Sequence, residues 1–178
     1  MNILFPTWKS FGVEDIKETF EELGHKVSLY EREPKNYRID PRYKSEIKKY
    51  IKENDIDAVF TSNYYPVISD GCNDLKIPYL SWCYDSPLIL TYSKSVFNEV
   101  NRIFIFDSLM VQELRNLGVK NVWYMPMAVN EKRLADLSIS PHDRKIVESD
   151  VSFVGRLYTE EHNLYDRMEP KLDDYTKG

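Results

Sequence analysis

The stretch NILFPTWKSFGVEDIKETFEELGHKVSLY, residues 2–30, decides which class of fold this chain adopts. It begins with a short apolar run over residues 2–5, and apolar side chains then recur at helical spacing over residues 13–23. Gly24 stands where such a helix would end, because glycine adopts the left-handed conformation of a helix C-terminus without strain. A second strand-like run over residues 26–30 follows at once. The stretch therefore predicts a strand, a helix and a second strand in succession.

The same alternation continues to about residue 137. Further strands are predicted at residues 58–61, 77–82, 102–106 and 122–125, and further helices at residues 43–53, 66–75, 108–117 and 130–137. Apolar strands that alternate with helices indicate a parallel sheet covered on both faces. We therefore predict an α/β fold for residues 1–137, a Rossmann-like doubly wound parallel sheet with helices on both faces.

The last forty residues do not continue this pattern. Residues 138–150 are polar and read as a linker, whereas residues 151–154 are apolar and mostly β-branched, and Gly155 follows them. We interpret residues 151–154 as the opening strand of a second domain, which the remaining residues are too few to complete. The predicted organisation is one domain at 1–137, and at 138–178 a linker with the start of a truncated C-terminal domain.

Composition limits the class of protein. The chain has 178 residues, enough for one domain with a sizeable core, and its net charge of −5 counts against a general nucleic-acid binder. Two cysteines, Cys72 and Cys83, are too few for a disulfide scaffold. No apolar run reaches the roughly 18 residues of a membrane span, and the N-terminus lacks the pattern of a signal peptide. We therefore expect a cytoplasmic protein without a transmembrane segment.

An ordered set of motifs carries a family resemblance. The motifs are FPTWKSFG at 5–12, SWCYDSP at 81–87, NLGVKNV at 116–122, MPMAVN at 125–130 and DVSFVG at 150–155. Together they resemble the N-terminal region of bacterial glycosyltransferases similar to spore maturation protein B, a domain of unknown function. The resemblance extends from residue 2 to about residue 168.

This resemblance implies a glycosyltransferase of the two-Rossmann-domain type, called GT-B, of which the chain is the acceptor-side half. The donor, a nucleotide sugar, would be a substrate bound by a C-terminal domain that is missing here or supplied by a partner chain, so the chain is expected to be inactive alone. The acceptor would be a glycan, a protein or a small molecule. No cofactor, metal ion or nucleic acid is implied.

Asp85 is the predicted catalytic residue. It follows the strand predicted at 77–82, so it is expected at the carboxyl edge of the sheet, where doubly wound folds bind ligands. A carboxylate there can remove the proton of an acceptor hydroxyl. The structural alternative is that Asp85 only begins a turn before Ser86 and Pro87.

Other predicted site residues lie in the segments after strands or are implied by the resemblance. The substrate-binding candidates are Thr7, Trp8, Lys9, Ser10, Asn63, Tyr64, Tyr84, Ser86 and Asn130, and the donor-phosphate candidates are Gly155 and Arg156. Trp8 offers a face for a sugar ring and Lys9 a charge for a phosphate. The structural alternatives are that Trp8 packs against the first helix and that Asn63 only shapes a strand-to-helix turn. Asp107 or Ser108 is expected to cap the following helix.

Two other classes of function remain. A non-catalytic binding or assembly module is compatible with the acidic charge and the 13% aromatic content. A flavodoxin-like or receiver domain would show the same alternation of strands and helices. The segment at residues 7–12 is, however, a poor flavodoxin phosphate loop, and residues 61–63 lack the aspartate that a receiver carries after its third strand.

Overall fold

The computed structural model describes residues 1–8, 10–155 and 164–173. The predicted site residues Lys9 and Arg156 lie outside the described residues. The chain divides into two compact units, Met1–Glu131 and Lys132–Gly178, each of which is described by itself. The predicted domain boundary at residue 137 stays a prediction.

The first unit is built on one parallel sheet of six strands. The strands are β1 (Asn2–Pro6), β2 (Lys26–Tyr30), β3 (Ala58–Ser62), β4 (Tyr79–Cys83), β5 (Asn101–Ile105) and β6 (Val122–Tyr124). Their order across the sheet is β2-β1-β3-β4-β5-β6, and every neighbouring pair is parallel. The predicted Rossmann-like α/β fold is confirmed.

Helices connect the strands. They are α1 (Val13–Glu22), α2 (Pro41–Glu53), α3 (Pro66–Leu75) and α4 (Ser108–Asn116), followed by α5 (Glu131–Ala135), and the second unit contains α6 (Pro141–Val147) and α7 (Leu164–Met168). Short 3-10 helices lie at Ile89–Thr91, Lys94–Phe97 and Glu169–Lys171. The predicted elements up to residue 137 are present, with ends that move by one or two residues, and by slightly more in α5.

The core has one layer on each face of the sheet, because successive side chains of a strand point to opposite faces. Leu4 points into the larger layer, which α2, α3 and α4 cover, whereas Ile3 and Phe5 point into the smaller layer beneath α1. A strand that is buried on both faces needs a continuous apolar run. That requirement explains the unbroken run ILF in β1.

The segment at residues 151–154, predicted to be the opening strand of a second domain, is not a strand. Val151, Phe153 and Val154 are exposed. Within the described ranges no strand pairs with this segment, and an extended segment gains its hydrogen bonds only from a neighbouring strand. Gly155 lies at a bend directly after it, and its predicted role at a donor phosphate stays a prediction.

Two aspartates stabilise α2 through their ionised form. Asp40 caps the helix by accepting the N–H of Tyr43 at 2.9 Å, and it also accepts the N–H of Lys35. These hydrogen bonds hold the pKa of Asp40 below its usual value. The Lys48 and Lys44 ammonium groups likewise lower the pKa of Asp74. Both aspartates therefore contribute stability above the pH at which unfolded aspartate titrates, and lose it as the pH falls through their lowered values.

We expect the free energy of unfolding to fall as the pH is lowered below about 4. Asp40→Asn should show a shallower fall, because asparagine is an equally good helix cap but does not titrate there. Urea unfolding at a series of pH values measures both slopes. Glu18→Gln, a change on the exposed surface of α1, serves as the control and should keep the slope of the unsubstituted chain. Equal slopes for Asp40→Asn and the unsubstituted chain would contradict the prediction.

Candidate functional site

The strand order places a crevice between β1 and β3. In the sheet, β2 and β3 flank β1. Because the chain moves from β1 to β2 in one direction and from β2 to β3 in the other, the connecting helices α1 and α2 cover opposite faces. This switch point is the one found in flavodoxin-like sheets, and ligands of doubly wound folds bind beside it. β1 pairs with β3 at only two positions, whereas it pairs with β2 at five. The end of the β1–β3 ladder at Leu4 and Val59 leaves the carboxyl ends of these strands unpaired with each other.

Three aromatic rings cluster beside this crevice. Trp8 follows β1, Tyr37 lies between β2 and α2, and Tyr65 follows β3. The Trp8 and Tyr37 rings are nearly parallel, at 16° with centroids 5.9 Å apart, and the Tyr65 ring lies 4.8 Å from that of Trp8. All three side chains are partly buried. Trp8 thus packs in the larger core layer, not against α1 as the structural alternative proposed.

Tyr37 is a member of this cluster that the sequence analysis missed. Its loop, residues 31–40, holds one proline and mixed charge and carries no recognisable motif. The available signal was its place after β2, at the same carboxyl edge as Trp8. The neighbouring Arg38 donates from Nη2 to the carbonyl of Ile89 at 3.1 Å, which brings this loop to the segment after β4.

Asn63 joins the ends of β3 and β4. Its backbone is left-handed, with φ +67°, and its side chain is largely buried. Nδ2 donates to Oδ2 of Asp85 at 2.7 Å, and Oδ1 accepts the N–H groups of Tyr84 at 3.1 Å and Asp85 at 3.3 Å. The backbone N–H of Asn63 donates to the carbonyl of Trp82 at 2.8 Å. The side-chain amide therefore holds the segment after β4, as the turn-shaping alternative requires.

Asp85 is exposed at the carboxyl edge of the sheet. Ser86, directly after it, donates its hydroxyl to Oδ2 of Asp107 at 2.6 Å. Oδ1 of Asp107 accepts the first N–H groups of α4, so Asp107 caps that helix as predicted. The hydroxyl of Ser86 and these N–H groups lower the pKa of Asp107. The segment that carries Asp85 is thus tied to β3 on one side and to α4 on the other.

Buried hydroxyls support the turn that carries Asn63. Thr61 donates to the carbonyl of Asn63 at 2.6 Å and contacts the hydroxyl of Tyr79 at 2.7 Å. The Tyr79 oxygen also accepts the N–H of Tyr65 at 3.0 Å. Tyr79 is fully buried, and burial raises its pKa well above that of a free phenol. The core of the sheet therefore positions the turn at residues 63–65.

Tyr64 is not at the surface, which corrects its assignment as a substrate-binding residue. Its side chain is fully buried, and its hydroxyl donates to Oγ of Ser95 at 3.0 Å. Burial raises the pKa of Tyr64 to about 12. The turn directs Tyr64 into the larger core layer, while the next residue, Tyr65, remains partly exposed.

The remaining predicted residues lie around the same edge. Thr7 is buried and extends the β1–β2 pairing through an N–H bond to Tyr30, and the hydroxyl of Ser10 donates to the carbonyl of Trp8 at 3.4 Å. Asn130 donates from Nδ2 to Asp15 in the first turn of α1 at 2.8 Å. Their roles toward a substrate stay predictions.

Cys83 ends β4 close to Asp85. It is a free, fully buried thiol, and burial raises its pKa to about 12. It therefore stays protonated near neutral pH, when a nucleophilic cysteine must be a thiolate. This agrees with the absence of a histidine nearby in the sequence that could activate it.

Comparison with known proteins shows the fold. Neither a scan against protein-family models nor a search of curated proteins finds a match. Among solved structures, MurG of Acinetobacter baumannii, a GT-B glycosyltransferase, matches with a TM-score of 0.50 and 11% sequence identity. The match covers 74% of this chain and 47% of the MurG chain, so it spans about half the length of that protein. The chain thus shares a Rossmann-like α/β fold with the matched part of MurG.

The comparison leaves the finer resemblance, to proteins similar to spore maturation protein B, as a prediction. Over the residues that the structure describes, no helix combines the length and the apolar character that crossing a bilayer requires. The expected cytoplasmic location stays a prediction, as do the expectations of no metal ion and no nucleic-acid partner.

Proposed function

We propose that this chain is the acceptor-side domain of a nucleotide-sugar-dependent glycosyltransferase of the GT-B type. The observation that carries the proposal is the exposed carboxylate of Asp85, held by Asn63 at the carboxyl edge of a Rossmann-like sheet. Ligands of doubly wound folds bind at this edge. The similarity to MurG supports the GT-B assignment, and the motifs at 5–12 and 81–87 support kinship with proteins similar to spore maturation protein B.

Asp85 would act as the general base. The oxygen of an acceptor hydroxyl attacks the anomeric carbon of the donor sugar, and its proton passes to the Asp85 carboxylate. The bond between that carbon and the phosphate oxygen breaks, and the nucleoside diphosphate leaves with the electron pair. Trp8 and Tyr65, near the same edge, are the proposed contacts for a sugar ring, because aromatic faces pack against apolar ring surfaces.

A second Rossmann domain would bind the donor. Charge on the departing diphosphate needs cationic groups or helix N-termini. Gly155 and Arg156 are the proposed donor-phosphate residues, and Lys9 is proposed separately as a substrate-binding cation. The chain alone is then expected to bind acceptor without transferring sugar.

Titration of the 15N-labelled chain with sugars tests this proposal. We expect a panel of monosaccharide and disaccharide acceptors to contain at least one that shifts the amide signals of Tyr65, Tyr84 and Asp85. Asp57, at the amino end of β3, provides the control signal and should not move. A transfer assay with uridine, guanosine and thymidine diphosphate sugars on the full gene product then tests the reaction. Shifts confined to the amino edge, or no shift with any sugar, would contradict acceptor binding at this site.

A non-catalytic binding module is the second candidate, and the apolar surface of the same edge favours it. Several segments at this edge present exposed apolar side chains, among them Phe11, Ile39, Ile89, Leu109 and Met127. Exposed apolar side chains that form one contiguous patch are typical of a face that contacts another protein. Sedimentation of the isolated chain separates the candidates, since a monomer that binds sugar supports the transferase domain, whereas a stable oligomer without sugar binding supports the assembly module.

A further inference from the structure

We infer that Asn63 is a positioning residue, which orients the Asp85 carboxylate and does not itself contact substrate. The inference rests on the proposed function, in which Asp85 receives the proton of the acceptor. Asn63 donates to one carboxylate oxygen, Oδ2, at 2.7 Å, and accepts the backbone N–H of the same residue. One side chain thereby restrains both the backbone and the carboxylate of Asp85. Oδ1 is the oxygen left to face an acceptor hydroxyl.

Each polar group of Asn63 has at least one partner inside the protein. Its amide nitrogen bonds Asp85 and its amide oxygen accepts the N–H groups of Tyr84 and Asp85. Its backbone N–H donates to Trp82, and its carbonyl accepts the hydroxyl of Thr61. The residue is 8% exposed, whereas Asp85 is exposed. A nearly buried side chain whose amide oxygen and nitrogen both have partners in the protein is placed to act on a substrate through the residue that it holds.

The backbone conformation at position 63 restricts which residue can orient Asp85 in this way. At φ +67° Asn63 lies in the left-handed region, which glycine, asparagine and aspartate adopt more readily than other residues. Glycine has no side chain to hold Asp85. Aspartate would place a carboxylate oxygen against Oδ2 of Asp85, where like charges repel. Of these three residues, only asparagine combines the tolerated conformation with one donor and one acceptor.

We call the hydrogen bonds from the Asn63 side chain to Tyr84 and Asp85 the clamp. Two substitutions separate the effect of the clamp from that of the left-handed backbone at residue 63. Asn63→Gly keeps the left-handed backbone and removes the amide, and Asn63→Asp keeps the acceptor and replaces the donor with a charge. Asn63→Gly should speed hydrogen exchange at the Asp85 N–H by about tenfold or more. Asn63→Asp should speed it by less, because its Oδ1 still accepts that N–H. Asn121→Gly, which removes an asparagine bond to the carbonyl of Glu99, is the matched control and should leave that exchange unchanged. Unchanged exchange in Asn63→Gly would overturn the clamp, whatever the protein's activity.

The catalytic purpose of the clamp is tested by a double-mutant cycle in the full gene product. Asn63→Gly should lower kcat by up to about 100-fold with a smaller change in the KM for acceptor, since misplacing a catalytic group costs that much. In the Asp85→Asn background the same substitution should cost nothing further, because its effect passes through Asp85. A purely structural role would lower activity equally in both backgrounds.

The outcomes for the two proposals are distinguishable. Normal transfer by Asn63→Gly, or equal losses in both backgrounds, would overturn the positioning role while leaving the transferase proposal intact. No transfer by the unsubstituted gene product with any donor of the panel would overturn the transferase proposal and the positioning role together. The exchange rates would still report the clamp in that case.

Discussion

Asp85→Asn is expected to reduce sugar transfer by the full gene product by about 100- to 10,000-fold, the usual contribution of a general base. Asparagine has nearly the shape of aspartate, and its side-chain oxygen can still accept the Nδ2 hydrogen bond of Asn63. The substitution therefore removes the basic carboxylate and keeps the local geometry. Initial rates with a nucleotide-sugar donor and saturating acceptor measure the loss.

The matched control is Asp57→Asn, the same chemical change at the amino end of β3. Asp57 accepts the backbone N–H of Asn2 at 2.7 Å, and asparagine keeps that acceptor. Its transfer rate should equal that of the unsubstituted protein. Full turnover by Asp85→Asn would show that Asp85 is not the general base. The segment after β4 would then be a turn with a structural role alone.

Tyr64→Ala is expected to destabilise the first unit by about 3–5 kcal/mol, the range for removing a buried aromatic side chain. The ring is fully buried in the larger core layer, and alanine leaves a cavity where it packs. Tyr64→Phe keeps the ring and loses the hydroxyl that bonds Ser95, for an expected cost of about 1 kcal/mol. Urea unfolding followed by tyrosine and tryptophan fluorescence measures both.

Tyr124→Ala is the control for this pair. Tyr124 lies on β6 with most of its side chain exposed, so its truncation should change stability by no more than about 0.5 kcal/mol. If Tyr64→Ala unfolded at the same urea concentration as the unsubstituted chain and lost sugar binding instead, Tyr64 would be a ligand contact and not a core residue.

The candidate site shows where reasoning from sequence stops. The sequence predicts Asp85 as a site residue because it follows a strand, and the structure places it, exposed, at the carboxyl edge. Asn63, Tyr64 and Tyr65 were equally eligible by the same rule. The structure places these three side chains differently. Asn63 hydrogen-bonds the segment after β4, Tyr64 lies in the core and Tyr65 belongs to the aromatic cluster. Adjacent residues of a turn point in different directions, and the sequence does not state which direction each takes.

By itself the sequence determined the class of fold. Apolar runs long enough for a strand buried on both faces alternate with segments whose apolar residues recur at helical spacing. Each of these two patterns is contained within about ten neighbouring residues. The tertiary structure alone decided the strand order, the crevice between β1 and β3 and the bond between Asn63 and Asp85, which are 22 residues apart. The physical reason is that such contacts depend on which strands become neighbours and in what register, and the burial of the whole sheet selects both.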